Sequence, residues 1–384
     1  MYIERATYFD FRNLTVTVEL GPGFNVFMGS NGQGKTNLLE GIYATCFGRG
    51  FRPGRLSHMI RHGATACRVS LDVVESGNRT ELSLVLQGSD KNHSVGGKER
   101  CSLGEVAQVV RLVFFGPDDL SLVKGAPAQR REFLDRAIWV HYPPYSDLMK
   151  RYQQHLKERN RLLKEMKEGR PTPKELLPSV EEEFIRQGVE VTSFRMRYLR
   201  ELVPEAVRLV REHTADALEL GVRYNSSLTQ EALTSEPKEL ALVFRSALER
   251  VRGEDRLLGT TSVGPHLDDL ELALQGQPAR FFGSQGEQRA LAVCLKLAQL
   301  SLWTQKFGVR PILLLDDVSS ELDRERTALL IQTIASWGIQ TLLTTTSPPD
   351  VLLGDPAVRL FQVEGGRVQP ISSSPPGTSF SCDE

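Results

Sequence analysis

The stretch FMGSNGQGKTNLLE, residues 27–40, decides the fold because it contains the pattern G-x-x-x-x-G-K-T. An apolar run, FNVFMG at 24–29, precedes the pattern, and a helix-forming run, NLLEGIYATCF at 37–47, follows it. This is the strand–loop–helix context that a nucleotide phosphate loop requires. The residues predicted to hold the nucleotide are Gly29, Ser30, Asn31, Gly32, Gln33, Gly34, Lys35 and Thr36.

The residue types in this loop each suit a phosphate. Gly29 and Gly34 let the backbone wrap closely and point N–H groups inward, and the start of the following helix adds its partial positive charge. Lys35 is predicted to reach the β- and γ-phosphates, and the Thr36 hydroxyl to bind Mg²⁺. The loop predicts nucleotide binding but does not say which nucleotide.

A second motif, ILLLDD at 312–317, is an apolar strand that ends in two carboxylates. Open α/β sheets bind ligands at the carboxyl ends of their strands, so both acids are predicted to lie near the nucleotide. We expect Asp316 to bind Mg²⁺, directly or through water, and Asp317 to polarise the attacking water as general base.

A third motif, FFGSQGEQRALA at 281–292, is a small flexible loop that opens a helix. Such a start offers backbone N–H groups and the Ser284 hydroxyl to an anion. One chain has little use for a second phosphate site. In a symmetric dimer, however, the loop of one subunit would close on the γ-phosphate that the other holds.

The composition limits the class of protein. The net charge is −1, so any anionic partner must be bound by a local patch. The five cysteines are scattered without metal-like pairs, which favours a reducing, cytoplasmic compartment. No apolar run of the length of a membrane span is present, and we expect no membrane association.

The pattern of apolar and helix-forming residues along the chain predicts an α/β domain divided by a helical insertion. Residues 1–126 and 254–368 alternate between strand and helix patterns, whereas residues 127–253 are dominated by helix formers with a proline-broken turn at 169–178. The Ser/Pro-rich residues 369–384 are expected to be a disordered tail.

In combination, GSNGQGKTN, GSQGEQ and LLLDDVSSELD resemble the ABC-type ATPase head, and more narrowly the SMC-like group, in which the head is split by an insertion. FFGPDDLSLVKGAPAQRREFLDRAI at 114–138 and SVGPHLDDLEL at 262–272 resemble stretches of the RecF family of bacterial recombination and repair proteins. The likeness runs from about residue 2 to residue 347. The fold class that it implies is an α/β P-loop ATPase head split by a helical lever arm or short hairpin.

The resemblance also implies a function. RecF-like proteins bind ATP with Mg²⁺, dimerise through ATP and engage double-stranded DNA. With RecR and RecO they help to load RecA on gapped DNA, and they support replication restart and the SOS response. By position, Ser284, Gly286 and Gln288 would contact the partner's ATP, Asp316 and Asp317 would act on metal and water, and residues 319–323 would cross the dimer seam. Slow, DNA-stimulated ATP hydrolysis is expected.

This chain departs from the expected patterns at three points. Asp317 stands where many ABC ATPases have Glu, and its shorter reach suits slow turnover. No histidine switch follows Thr344, Thr345 and Thr346. Leu267 stands where the family's GPH-x-DD stretch would have an arginine.

Two stretches are locally basic and could neutralise DNA phosphates without reading bases. Residues 41–70 contain five arginines and no acid, and residues 129–170 contain eleven Lys and Arg against six Asp and Glu. For either stretch, a solvated surface without a ligand stays an alternative. The candidate DNA contacts are Arg52, Arg55, Arg61, Arg130 and Arg131.

Three other functions stay open at this point. A long-armed SMC or zinc-hook ATPase would need a CxxC apex, which the insertion lacks. The nucleotide-binding subunit of an ABC transporter would have its signature close behind the phosphate loop rather than about 250 residues later. A small-molecule P-loop kinase would not need GSQGEQ.

Overall fold

The computed structural model describes residues 1–52, 54–120, 122–171, 173, 175–214, 217–317 and 322–371. The strands are β1 Tyr2–Phe11, β2 Leu14–Glu19, β3 Phe24–Met28, β4 Ala66–Glu75, β5 Asn78–Gln87, β6 Asp90–Val95, β7 Lys98–Glu99, β8 Leu112–Phe115, β9 Leu220–Asn225, β10 Asp269–Leu274, β11 Gln277–Pro278, β12 Ile312–Asp316, β13 Thr341–Thr345, β14 Arg359–Glu364 and β15 Arg367–Ile371. The helices are α1 Lys35–Phe47, α2 Leu103–Val109, α3 Pro117–Leu120, α4 Pro127–His141, α5 Tyr145–Lys167, α6 Leu176–His213, α7 Gln230–Thr234, α8 Pro237–Leu258, α9 Ala279–Phe282, α10 Gln285–Phe307 and α11 Arg324–Trp337.

The described residues form two compact units. The first contains Met1–Asp118 and the chain from Trp303 onward, and the second contains Asp119–Leu302. Both predicted boundaries of the insertion differ from this division. The predicted boundary at residues 253 and 254 falls inside α8, and β9 pairs with β10, so the residues that flank this boundary belong to one sheet.

Two sheets build the first unit in the part of the chain that is described. One is antiparallel, with the strand order β2-β1-β4-β5-β6-β7. The other has the order β15-β14-β3-β13-β12-β8, and β14 to β8 run parallel in it. The strands predicted from FNVFMG and ILLLDD are confirmed as β3 and β12.

Helix α1 is buried on all sides, with eleven of its thirteen residues buried, as expected for a helix that is apolar around its whole circumference. Its approach to β1 is close. The Tyr8 hydroxyl donates to Leu38 O at 2.7 Å, and a Cβ on Gly41 would lie 2.5 Å from the Tyr8 ring. The start of α1, which carries Lys35 and Thr36, is therefore held in one place.

The parallel sheet brings its two predicted motifs to the same edge. Strand β13 lies between β3 and β12, so the carboxyl ends of β3 and β12 are separated by one strand. The phosphate loop follows β3, and Asp316 ends β12. This topology is the physical reason that motifs about 280 residues apart in the sequence share a site.

Long helices and a three-stranded sheet, β11-β10-β9, build the second unit as far as it is described. Helices α5 and α6 form the predicted hairpin, and each helix buries one arginine among charged partners. Arg159 donates to Asp255 at 2.7 Å and to Glu181 at 3.0 Å, and it is 0% exposed. Arg195 forms a two-pronged ion pair with Asp135, with both distances 2.9 Å.

The predicted tail boundary also differs from the structure. Strand β15 extends to Ile371 and pairs with β14, so residues 369–371 belong to the parallel sheet. Residues 372–384 lie outside the described part of the chain.

Candidate nucleotide-binding site

The phosphate loop leaves β3 through a glycine that no other residue could replace. Gly29 has a φ of 154°, and a Cβ there would lie 2.3 Å from the Val363 carbonyl oxygen of β14. At the other end of the loop, Gly34 caps α1 with a φ of 109°, and no side chain of the described residues caps the helix there. The first N–H groups of a helix that starts without a side-chain cap can bind water or an anionic ligand.

Lys35 lies inside the loop and is only 6% exposed. Its Nζ donates to Gly29 O at 2.6 Å and to Ser30 O at 2.9 Å. Burial lowers the pKa of Lys35, and the nearby charges of Asp317 and Asp316 oppose that shift. The ammonium group is therefore held between the loop and the acidic strand end, where a phosphate chain would pass.

The acidic strand end is joined directly to the loop. Asp316 Oδ1 accepts hydrogen bonds from Thr36 Oγ1 at 2.9 Å and from Thr344 Oγ1 at 2.7 Å. Burial raises the pKa of Asp316, whereas the hydrogen bonds from Thr344 and Thr36 and the charge of Arg52 act in the opposite direction. Thr344 was not among the predicted site residues, because the TTT run of β13 carries no recognisable motif.

The backbone of Asp317 has a φ of 48°, in the left-handed region that few residues other than glycine adopt. Its N–H donates to Thr344 Oγ1 at 3.0 Å and to Thr344 O at 3.2 Å. Non-glycine residues held in this region cost roughly 1–3 kcal/mol and are frequent at functional sites. The surroundings thus fix the direction in which Asp317 leaves the sheet.

The residues present fit Mg²⁺. Thr36 Oγ1 and Asp316 Oδ1 are hard oxygen ligands in contact with each other. Within the described ranges, no group of three or more His, Cys, Asp or Glu side chains could hold a metal ion. Mg²⁺ commonly takes one or two carboxylates together with substrate phosphates, so such an ion would depend on the nucleotide for further ligands.

The structure adds supports for the loop that sequence reasoning did not find. Asn13 Nδ2 donates to Gln33 O at 3.4 Å, and Asn13 Oδ1 accepts from Asn37 Nδ2 at 2.7 Å. From the C-terminal hairpin, Gly365 N donates to Gln33 Oε1 at 2.7 Å, and Gly366 N donates to Gln33 O at 2.9 Å. Their separation in sequence from the loop left no local signal.

The GSQGEQ loop of the second unit differs from the phosphate loop, because a side chain of its own caps the helix that follows it. Ser284 is exposed, its Oγ accepts from Glu287 N at 3.3 Å, and its own N–H donates to Glu287 Oε2 at 2.7 Å. These reciprocal bonds form a capping box at the start of α10. Within the described residues the Ser284 Oγ accepts in this capping box, and Gly286 is half-buried two residues further on.

Gln288, which was predicted to contact the partner's ATP, has hydrogen-bond partners inside its own loop. The side chain is 3% exposed, and its Nε2 donates to Ala279 O at 2.9 Å and to Gly283 O at 2.8 Å. A Cβ on Gly283 would lie 2.8 Å from Ala279 O, so the chain folds back tightly here. Gln288 is therefore occupied in holding the loop from below.

Two of the predicted DNA contacts in the second unit have structural partners instead. Arg130 is 5% exposed and forms a two-pronged ion pair with Asp269, at 2.7 and 2.8 Å. Arg131 is half-buried and donates to Asp268 O at 2.7 Å. A buried, paired guanidinium group is not available to a phosphate, so Arg130 loses its support as a DNA contact, whereas half-buried Arg131 stays a prediction.

The predicted contacts in the first unit differ from one another. Arg52 is half-buried and its Nη2 donates to Asn37 Oδ1 and to Glu40, so this group faces α1. Arg61 pairs with Asp10 at 3.0 Å, and Arg55 is exposed. Of the residues predicted to cross a dimer seam, 319–321 lie outside the described part, and Asp323 caps α11.

Comparison with known proteins gives this geometry a family. A family model described as the RecF/RecN/SMC N terminal domain matches residues 2–369. The DNA replication and repair protein RecF of Myxococcus xanthus (strain DK1622) is 38% identical over 341 residues, which are 88% of each chain. This chain belongs to the RecF family. The RecF of Halothermothrix orenii (strain H 168) is 35% identical over 371 residues, 96% of this chain and 98% of that one.

Solved structures agree with the RecF assignment. The structure of the recombination mediator protein RecF-ATPrS in the RecFOR pathway matches with a TM-score of 0.89 and 30% identity. The match covers 97% of this chain and 98% of that chain. A RecF-ATP structure has a TM-score of 0.87 at the same identity and coverage. An Smc head bound to the C-winged helix domain of ScpA, at 15% identity and a TM-score of 0.53, shares the fold. The predicted SMC-like ATPase head is thus confirmed.

In the described residues, no helix combines the length and the apolar character needed to cross a membrane.

Proposed function

We propose that this RecF-family protein is an ATP-gated DNA clamp, in which two copies enclose two molecules of ATP with Mg²⁺. Each copy holds one nucleotide by Gly29–Thr36, with Asp316 at the metal and Asp317 at the attacking water. Ser284 of each copy completes the neighbour's site. Hydrolysis is slow and is stimulated by DNA. The reason is that ATP controls when the two copies assemble into a dimer, rather than driving a metabolic reaction.

One observation carries this proposal: the contact between Thr36 Oγ1 and Asp316 Oδ1, with Lys35 Nζ inside the loop beside them. It brings a phosphate grip, a metal ligand pair and a candidate general base to one sheet edge. The RecF relatives described as RecF-ATP and RecF-ATPrS support ATP as the nucleotide.

A second copy is supported by the surface around Ser284. Phe281 and Phe282 directly precede this loop and are 74% and 69% exposed. Two adjacent exposed aromatic residues beside an anion-binding helix start are typical of a surface that is covered in an assembly. Phosphoryl transfer depends on positioning and charge stabilisation, so a monomer that lacks the second loop is expected to be nearly inert.

We further propose that the clamp engages double-stranded DNA and acts in the RecFOR pathway with RecR and RecO, helping to load RecA on gapped DNA. The description of a relative as a recombination mediator in that pathway supports this step. Of the predicted DNA contacts, exposed Arg55 keeps its support, and binding there would be independent of base sequence.

The deciding experiment is to size the protein in solution without nucleotide, with ATP, and with ATP and duplex DNA. We expect a monomer to become a dimer on addition of ATP, and the dimer to bind duplex DNA at low salt. Because half of the stabilising groups come from the second copy, the specific ATPase rate should rise with protein concentration.

A specific rate that is constant over a wide concentration range, with no dimer in ATP, would contradict the clamp. A dimer that fails to bind duplex DNA at low salt would contradict the proposed DNA step and leave the ATP-driven dimer intact.

A further inference from the structure

Helix α1 carries a buried carboxylate, Glu40, that takes no part in the nucleotide chemistry proposed above. Glu40 is 0% exposed, yet it receives two guanidinium groups: Arg12 Nε contacts its Oε2 at 2.5 Å, and Arg52 Nη2 contacts the same oxygen. A buried charge is costly unless it is paired, so at least one of the two guanidinium groups must stay with Glu40. Glu40 thus joins α1 to two other segments of the chain.

The first of these segments is the turn between β1 and β2. Arg12 occupies it with a φ of 50°, and its neighbour Asn13 contacts both Gln33 of the phosphate loop and Asn37 of α1. The Glu40–Arg12 pair therefore fixes the turn that supports the phosphate loop from outside.

The second segment is residues 49–62, which we call the basic segment. It contains four arginines and no acid, and Pro53 within it lies outside the described residues. Besides Glu40, Arg52 Nη2 contacts Asn37 Oδ1, one residue beyond Thr36. Arg52 thus ties the basic segment to the first turn of α1, on which the nucleotide site is built.

The basic segment is also attached to the β1–β2 turn. Arg12 N donates to Met59 O at 2.6 Å, and Arg61 N donates to Asp10 O at 2.7 Å. The fit is tight, since a Cβ on Gly50 would lie 2.8 Å from Glu40 Oε1 and 2.5 Å from Met59 Cε. The β1–β2 turn and the basic segment therefore both pack against the Glu40 carboxylate, and the turn in turn contacts the phosphate loop through Asn13.

We propose that Glu40 is a positioning residue that couples nucleotide binding to DNA binding, by joining the phosphate loop to the basic segment through Arg12 and Arg52. A change of the loop on nucleotide binding then shifts the exposed cations of the basic segment, such as Arg55. The inference rests on the proposed function, which supplies duplex DNA as the ligand of those cations.

The test compares Arg52→Gln with Arg55→Gln in the full chain. Both variants remove one positive charge from the same segment, but only Arg52 contacts Glu40. The measurements are the affinity for a fluorescent ATP analogue and the affinity for a duplex DNA fragment with and without ATP. The decisive quantity is the ratio of the two DNA affinities, because coupling between sites typically amounts to roughly 5- to 150-fold.

We expect Arg55→Gln to weaken DNA binding in both states and to keep most of the wild-type ratio, because the contacts that join the basic segment to Glu40 are unchanged. Arg52→Gln should bring the ratio to within about twofold of unity, while nucleotide affinity falls by less than about tenfold. Glu40→Gln should reproduce the loss of the ratio. If Glu40→Gln does not fold, Arg52→Gln still tests the proposal. This variant is expected to fold because the Arg52 side chain is 38% exposed and the Arg12–Glu40 pair remains.

A wild-type ratio in Arg52→Gln would overturn the coupling role and leave the proposed function intact. An equal loss of the ratio in Arg52→Gln and Arg55→Gln would also overturn it, because charge alone would then explain the effect. If the wild-type protein bound DNA equally well with and without ATP, the proposed ATP gate and this inference would both fall.

Discussion

The two glycine-rich helix starts of this chain look alike in sequence but differ in how their first turns are satisfied. Helix α1 begins after Gly34 without a side-chain cap from the described residues, whereas α10 begins with the reciprocal bonds between Ser284 and Glu287. The first N–H groups of α1 can therefore be satisfied by a bound ligand. The start of α10 already has its capping bonds within the chain, so its loop can meet a second copy without rearranging. The predictions below test this difference, from the largest expected effect to the smallest.

Lys35→Ala should remove the main cation of the first helix start. Hydrogen bonds to charged groups contribute about 1.5–3 kcal/mol each, so ATP affinity should fall by roughly 100-fold. Titration with a fluorescent ATP analogue measures the change. Lys91→Ala is the matched control, because Lys91 Nζ also donates to a glycine carbonyl, Gly48 O at 2.9 Å, at the other end of α1. An equal loss of affinity in both variants would contradict the assignment.

Asp317→Asn should separate ATP binding from hydrolysis. The amide keeps the size of the side chain but cannot accept a proton from water, so single-turnover hydrolysis should slow by roughly 100-fold or more. ATP affinity and ATP-induced dimerisation should stay unchanged. Normal turnover in this variant would remove Asp317 as general base.

Ser284→Arg should act on the second helix start alone. A bulky cation at this exposed position should weaken ATP-induced dimerisation by roughly tenfold or more, while each monomer still binds ATP. Ser284→Thr is the control because it keeps the hydroxyl group. Sedimentation with and without ATP provides the measurement, and undiminished dimerisation in Ser284→Arg would show that this loop does not meet a partner.

Gln288→Leu should have the smallest effect, and it should be on stability. The substitution removes the side-chain donor to Gly283 O and to Ala279 O, although Ala279 O keeps the bond from Gly283 N, and this loss should lower the free energy of unfolding by about 1–3 kcal/mol. Urea unfolding measures this, with the exposed Gln285→Leu on the same helix expected to stay within about 0.5 kcal/mol of wild type. A stable Gln288→Leu variant with weakened dimerisation would restore the original prediction of an ATP contact.

The predicted DNA contacts show where sequence reasoning fails. Arg55 and Arg130 are equally plausible as phosphate-binding residues in the sequence, and both lie in locally basic stretches. The structure exposes Arg55 and buries Arg130 against Asp269, which is 139 residues away. Local charge balance counts residues, but it contains no information about which of them meet a distant partner.

The sequence by itself determined the family, the phosphate loop, the acidic strand end and the helical insertion, because each depends on residues close together along the chain. A G-x-x-x-x-G-K-T loop between a strand and a helix has one physical use, and its spacing is local. Only the tertiary structure decided that Thr344 holds Asp316, that Gln288 supports its loop, and that Glu40 joins two arginines. Those roles depend on burial and on hydrogen bonds between distant segments, which exist only once the sheets have formed.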